Sequence, residues 1–349
     1  MNKQKALLAL ALAAALIAGC SSPAEKEGAP GAASPSPSGK KFLSLGTAPP
    51  GGAFFVIGGA LTEVLNDNAG ENGWRITAEA TKGTQENIRR LSRGELDLAL
   101  ANAAITYFAT RGEEGWEQKH DVQSVMTLAP NVALFLTPRS SGLTKIADLR
   151  GKRVVIGPAG AGFEYFVRPI LAAHGMTLED FTALNASQSA AVDMLADGAA
   201  DAVFVGGAVP TASITQAATS QDIVFIPFDP AAMDKLVAQY PFFERVTVPA
   251  NTYKGMAADF PTLNVGSLHL ITAASQDEEL VYQVTKTLWT NREKVVQKHA
   301  AGKAINPGVV VKDPGTPFHP GAIRFYREIG IWPDRPASPT APPAGPAAG

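Results

Sequence analysis

Ten residues near the start of the chain, GTAPPGGAFF at positions 46–55, join a short apolar run at 42–45 to a stretch with helical spacing. A glycine-rich loop between a strand and a helix is a place where backbone N–H groups can meet an anion. The nucleotide forms of that loop need G-x-x-x-x-G-K-[ST] or G-x-G-x-x-G, and neither spacing occurs here. What remains is an anion cradle without a nucleotide signature. Gly51 and Gly52 either let the backbone approach a ligand or only permit the turn after Pro49 and Pro50. Thr47 offers a hydroxyl beside them, and Phe54 and Phe55 offer apolar surface.

A second loop, Thr81-Lys82-Gly83-Thr84, precedes another helical run. Thr81, Thr84 and Asn87 form a second candidate cradle, and Thr84 reads equally as the N-cap of the helix. Lys82 is the cation of these loops, set either to pair with a carboxylate or to stand in solvent. Further on, GPAGAG at 157–162 opens a third helix, where Gly160, Ala161 and Gly162 can donate backbone N–H groups. Glu164 lies in that helix's first turn, favoured there by the dipole or available to an ammonium. Phe163 and Tyr165 are aromatic at the same helix start, facing either a cleft or a core. Gly206, Gly207 and Pro210 form the last such loop.

Catalytic and metal patterns are absent from the sequence. The histidines at 120, 174, 269, 299 and 319 have no metal spacing, and H-E-x-x-H and G-x-S-x-G do not occur. Asp97 and Asp201 both stand at strand starts. Their equivalent positions point to paired structural turns in separate lobes, not to a shared acid–base site. The chain therefore reads as a binding protein with no cofactor and no metal.

The elements that must hold these loops repeat. Residues 74–80 alternate as a strand, 85–93 carry helical spacing closed by Gly94, and 96–100 form the next strand, a βαβ unit that implies a parallel sheet. Strands at 152–156, 181–184, 201–205 and 223–226 and helices at 163–174 and 187–197 repeat the order. Ile88, Leu91, Gly94 and Asp97 align with Val192, Leu195, Gly198 and Asp201 at one constant offset. The expected fold is α/β with two similar lobes. In such sheets ligands sit outside the carboxyl ends of the strands, so two facing lobes make a cleft that closes about a hinge. The first lobe is assigned to 41–131 plus 266–333 and the second to 132–265, with crossings at 132–136 and 265–270.

The ends are of another kind. Lys3, Lys5 and the apolar run 6–18 read as a secretory signal over residues 1–19. Ile17-Ala18-Gly19-Cys20 ends it as a bacterial lipobox does, which makes Cys20, the single cysteine, the expected lipidated residue of a periplasmic protein. Residues 20–40 and 334–349, rich in Pro, Ser, Gly and Ala, read as a flexible tether and a disordered tail. With Lys+Arg 30 against Asp+Glu 32 and no run of either sign, a nucleic-acid partner is not expected.

Several segments in order resemble the TAXI-type solute-binding proteins of TRAP transporters: GTAPPGGAFFVIGGALTEVLN, TKGTQENIRRLSRGELDLAL, DLRGKRVVIGPAGAG, DGAADAVFVGGAVP, VPANTY and HPGAIRFYREIG. The resemblance covers most of 42–332. It implies a type II periplasmic-binding-protein fold, capture of a small carboxylate-bearing amino acid or organic acid, and delivery to TRAP membrane permease subunits by a monomer anchored through Cys20. A ligand sensor or enzyme on the same two lobes is the other class. The chain departs from the family pattern at Lys82, at Ala161 and Phe163 where hydroxyls are common, and at Ala101-Asn102-Ala103, where Asn102 is the remaining polar candidate. These exchanges imply a ligand less polar than glutamate.

Overall fold

The computed structural model describes residues 41–50 and 52–333. The signal-like run, Cys20, the tether, the tail and Gly51 lie outside the described residues.

The first lobe opens with β1 (Lys41–Gly46), α1 (Ala53–Asp67), β2 (Trp74–Glu79), α2 (Thr84–Ser92), β3 (Leu98–Asn102), α3 (Ala103–Arg111) and β4 (Val122–Thr127). The second holds β5 (Val132–Pro138), β6 (Arg153–Val155), α4 (Glu164–Ala173), β7 (Thr182–Leu184), α5 (Gln188–Ala196), β8 (Ala202–Gly207), α6 (Ala212–Ser220), β9 (Ile223–Ile226), α7 (Pro230–Gln239), β10 (Phe243–Val248) and β11 (Phe260–Val265). The chain then returns through β12 (Leu268–Ala273), α8 (Glu278–Thr290), α9 (Arg292–Lys298) and α10 (Pro320–Glu328).

The first sheet has the order β2-β1-β3-β12-β4, and the second runs β10-β11-β5-β8-β6-β7 with β9 also on β5. The parallel pairs implied by the βαβ reading are present: β1 with β2 and β3, and β6 with β7 and β8. Neither sheet is wholly parallel, and this corrects the sequence expectation. β12 enters antiparallel between β3 and β4, and β5 runs antiparallel to β8, β9 and β11. Both crossing segments reverse direction because the chain passes directly from one sheet to the other, with no crossover helix to carry it back.

Asp97 and Asp201 play matching structural parts. Asp97 Oδ2 accepts the N–H of Ser44 in β1 at 2.8 Å, and Asp201 Oδ2 accepts that of Arg153 in β6 at 2.8 Å. Each carboxylate closes a strand start onto its parallel neighbour.

One apolar core joins Leu45, Leu61, Leu65, Leu98 and Leu270 to the C-terminal helices through Leu288, Phe325 and Tyr326. Tyr326 donates its hydroxyl to the Val125 carbonyl at 3.0 Å and stacks on Trp332, which fixes the end of the chain on the first lobe. A second core lies behind β8 around Val203, Val205 and Ile214. A third runs from Ile88, Phe108 and Trp116 into Phe135, Phe166 and Phe204, crossing from one lobe to the other. Apolar contact of this kind ties the two lobes to each other.

Candidate functional site

The carboxyl ends of β1, β3 and β8 face a cleft that encloses about 70 Å³ and opens into solvent. The first lobe lines it with Ala48, Pro49, Pro50, Gly52, Ala53, Phe54, Lys82, Gly83, Thr84, Asn102 and Ile105. Asn131 lies where the chain crosses, and the second lobe adds Pro158, Ala161, Phe163, Phe166, Ser187, Gln188 and Gly206.

The first-lobe wall is made of helix starts. The N-cap of α1 is Gly52 and that of α2 is Gly83, and neither helix has a side-chain cap. The first-turn N–H groups of a helix have no partner within it, so these two starts leave donors for whatever enters the cleft. The expectation that Thr84 caps α2 is corrected. It is the first helical residue, and its Oγ1 accepts the Asn102 N–H at 3.0 Å, which leaves its own proton unused among the described residues. Asn102 is fully committed. Its Oδ1 caps α3 by accepting from Ala104 at 2.9 Å, and its Nδ2 donates to the carbonyls of Val265 and Gly266. Lys82 is exposed at the rim and, among the described residues, is the only charged one in the lining.

Thr47, Thr81 and Asn87 stand behind this wall. Thr47 Oγ1 donates to the Glu79 carbonyl at 2.8 Å, and the Thr47 carbonyl accepts from Thr81 Oγ1 at 3.0 Å and Asn87 Nδ2 at 2.8 Å. The three lace loops 46–50 and 81–84 together. They lie outside the lining because short side chains at buried positions reach the nearest backbone first.

The second-lobe wall is built from side chains. α4 begins in a tight turn, with Tyr165 N–H on the Gly162 carbonyl at 3.2 Å and Phe166 N–H on that of Phe163 at 3.3 Å. The Ser187 hydroxyl caps α5 by accepting from Ala190 at 3.3 Å. Gln188 Nε2 donates to the Gly206 carbonyl at 2.5 Å, while its Oε1 is buried with no donor among the described residues. A buried acceptor without a partner costs about 1–3 kcal/mol. Asn131 is 5% exposed, and its carboxamide makes no hydrogen bond among the described residues. Phe163 lies over Phe166 at 5.2 Å between centroids and serves both cleft and core.

The walls meet. A Cβ on Gly83 would lie 3.4 Å from that of Ala161, and Gly83 has φ +118°, a conformation open to glycine. Gln85 Nε2 donates to the Tyr165 hydroxyl across the cleft at 3.3 Å, and the Tyr165 ring stacks on Phe108 at 5.9 Å and Trp116 at 5.8 Å. Burial raises the Tyr165 pKa above that of an ordinary phenol. The cleft itself has no Asp or Glu in its lining.

Of the sequence-assigned residues, Gly52, Phe54, Lys82, Thr84, Asn102, Ala161, Phe163 and Gly206 come together in this lining. Phe55 points outward at 38% exposure, and Gly160 and Pro210 are exposed. Glu164, Gly162 and Gly207 lie near the cleft but outside its lining. Sequence reasoning missed Asn131, Ser187, Gln188, Pro158, Ile105 and Phe166. Ser187 and Gln188 carry a signal after all, since the repeat offset places them on Gly83 and Thr84. Asn131, in a short crossing segment, carries none.

Among the described residues no helix is long and apolar enough to cross a membrane, and no three His, Cys, Asp or Glu gather as metal ligands. The pattern of the NMT1-like family matches residues 45–330. Among solved structures, the chain is similar to a protein of Bordetella bronchiseptica RB50 at 13% identity, with 86% of this chain and 92% of that one covered and a TM-score of 0.52. It is similar to PhnD1 of Prochlorococcus marinus, solved with methylphosphonate, at 10% identity, 83% and 99% coverage and a TM-score of 0.51. The alkanesulfonate-binding protein SsuA of Xanthomonas axonopodis pv. citri, bound to MOPS, matches at 18% identity, 84% coverage of both chains and a TM-score of 0.48. At these identities the first two establish the fold, a two-lobe α/β fold of the periplasmic-binding type.

Proposed function

The chain belongs to the NMT1-like family, and from that premise and the chemistry of the cleft we propose that it is an extracytoplasmic solute-binding protein that captures a small anion and hands it to a membrane permease. The observation that carries this reading is the pair of glycine-capped helix starts, Gly52 and Gly83, opening onto a cleft whose only charged lining residue is a lysine. Each helix start favours an anion by about 0.3–1 kcal/mol, and more when partly buried. Gly51, Gly52, Thr84 and Lys82 hold the anionic group in this reading, and Phe54, Ile105 and Phe163 cover an apolar body. Because none of the lining residues offers a nucleophile paired with a base, binding and release are the whole of the chemistry.

A carboxylate is the first choice of anion. A phosphonate or sulfonate is the second reading, favoured by one observation: two uncapped first turns offer more N–H donors than two carboxylate oxygens use, and PhnD1, of the same fold, was solved with methylphosphonate. The resemblance to TAXI-type proteins supports a TRAP permease as partner, with the protein monomeric in the periplasm and tethered through acylated Cys20.

A thermal-shift screen of small carboxylates, sulfonates and phosphonates identifies the anion, because ligand binding raises the melting temperature by mass action. Calorimetry with the best acid and its neutral methyl ester then tests the cradle. The acid binds and the ester does not; equal affinities refute the reading. Uptake that persists after all transmembrane ion gradients are collapsed would refute the TRAP assignment, and membrane association that survives Cys20→Ser would refute the lipid anchor.

A further inference from the structure

We propose that the ligand carries, besides its anionic group, an uncharged hydrogen-bond donor, a hydroxyl or a carboxamide N–H, and that Gln188, with Asn131 beside it, selects for that donor. This rests on the anion-binding reading above and extends it to the rest of the ligand.

Thr84 and Gln188 hold the same place in the two halves, the first residue of α2 and of α5. In each half that side chain bonds to the backbone at the end of a neighbouring strand. The directions are opposite. Thr84 Oγ1 accepts from the Asn102 N–H at 3.0 Å, whereas Gln188 Nε2 donates to the Gly206 carbonyl at 2.5 Å. What is left over is opposite too. Thr84 keeps a proton to give, and Gln188 keeps Oε1, buried and without a donor. The Gln188 amide cannot turn over, because a flip sets its carbonyl oxygen against that of Gly206.

Asn131 supplies a second uncommitted carboxamide at the same strand end. A Cβ on Gly206 would stand 3.1 Å from Asn131 Oδ1, so glycine is what lets the two come close. The lining thus combines donors from the first lobe with a neutral acceptor from the second, and Ile105, Phe163 and Phe166 add apolar surface. Charge decides what the acceptor takes. A buried ammonium needs a carboxylate partner, and no Asp or Glu lines the cleft. A hydroxyl or amide N–H needs only neutral oxygens.

The test is calorimetry on the purified chain with two matched pairs of probes: hexanoate against glutaramate, and pentanesulfonate against 4-hydroxybutanesulfonate. In at least one pair the donor-ended probe binds about tenfold tighter than its methyl-ended counterpart, as expected of a site that rejects an analogue lacking the hydrogen bond. Gln188→Met keeps the side-chain length and removes the preference, so that the two affinities within a pair become equal. If the anions bind but neither pair shows a preference, or if the preference survives Gln188→Met, the proposal falls while the anion reading stands. The wild-type series decides this even if the variant fails to fold. If methyl hexanoate binds as tightly as hexanoate, or none of the probes binds, the anion reading falls and the proposal falls with it.

Discussion

In the first lobe the helix after the second loop starts at Gly83 with Thr84 in its first position; in the second lobe its counterpart starts at Ser187 with Gln188 there. The N-cap backbones differ, with Gly83 at φ +118° and Ser187 at φ −62°, but the following strands begin with the same aspartate closure, Asp97 onto Ser44 and Asp201 onto Arg153. Yet the glycine start leaves its amides to the cleft, while the serine start turns one of them back into the protein. A repeated βα unit sets where a helix begins. The single residue at its N-cap then decides whether the freed donors serve the fold or a ligand.

The largest expected effect comes from closing the first-lobe start. Gly83→Val puts a β-branched side chain at φ +118° and against Ala161, costing about 2–3 kcal/mol of stability and blocking closure. Urea unfolding and ligand titration read the two losses, and a variant that binds as the wild type does would break the contrast between the lobes.

A second difference is acid sensitivity. The histidines whose pKa is lowered, His120, His269, His299 and His319, all belong to the first lobe, and burial is the leading cause for each. His269 is pushed down to about 3 while its ring nitrogens meet Thr106 and Ser124. The unfolded chain therefore takes up this proton more readily than the native one. The stability is fully present above the ordinary histidine pKa and is lost as pH falls from there towards 3. Between pH 7 and 5 His269 alone removes about 2 kcal/mol. Urea unfolding at the two pH values shows this loss, and His269→Gln flattens it.

Matched substitutions at the two helix starts sharpen the comparison further. Ser187→Ala removes a cap and costs about 1 kcal/mol of stability, with little change in the affinity for the anion. Thr84→Ala strips the Asn102 N–H of its buried acceptor and removes a donor from the cleft, so stability and affinity each fall by about 1 kcal/mol or somewhat more. Equal affinity losses for the two variants would erase the proposed difference. The smallest effect belongs to Lys82→Met. An exposed lysine contributes under about 1 kcal/mol, and the variant's affinity depends less on salt than the wild type's.

Much of this was legible in the sequence. The strand–loop–helix beat, the glycines closing α2 and α5 and the offset between the halves all follow from local patterning, which depends on near neighbours along the chain. The antiparallel return of β12 was not legible, because it depends on where the chain comes back after the whole second lobe. Within the site, the loops at 46–50, 81–84 and 157–162 each bring residues to the lining. Which of their side chains face the cleft was harder to read. Thr47, Thr81 and Asn87 look like ligand contacts by residue type, but the two hydroxyls and the Asn87 amide N–H groups donate to nearby backbone carbonyls, and none of the three lines the cleft. Asn131 and Gln188 were overlooked because neither stands in a glycine-rich loop. In the proposal above they add a neutral donor to a ligand expected to be less polar than glutamate.

The central claim is that the first-lobe helix starts, and not the second-lobe ones, hold the anion. Backbone amide resonances of the isotope-labelled chain, followed during titration with the best acid from the thermal-shift screen and with its methyl ester, test it most directly. The account predicts large downfield shifts for the amides of Ala53, Phe54, Thr84 and Gln85 with the acid, absent with the ester, and small shifts at Ser189 and Glu164 with either. Large acid-specific shifts confined to the starts of α4 and α5 would contradict it.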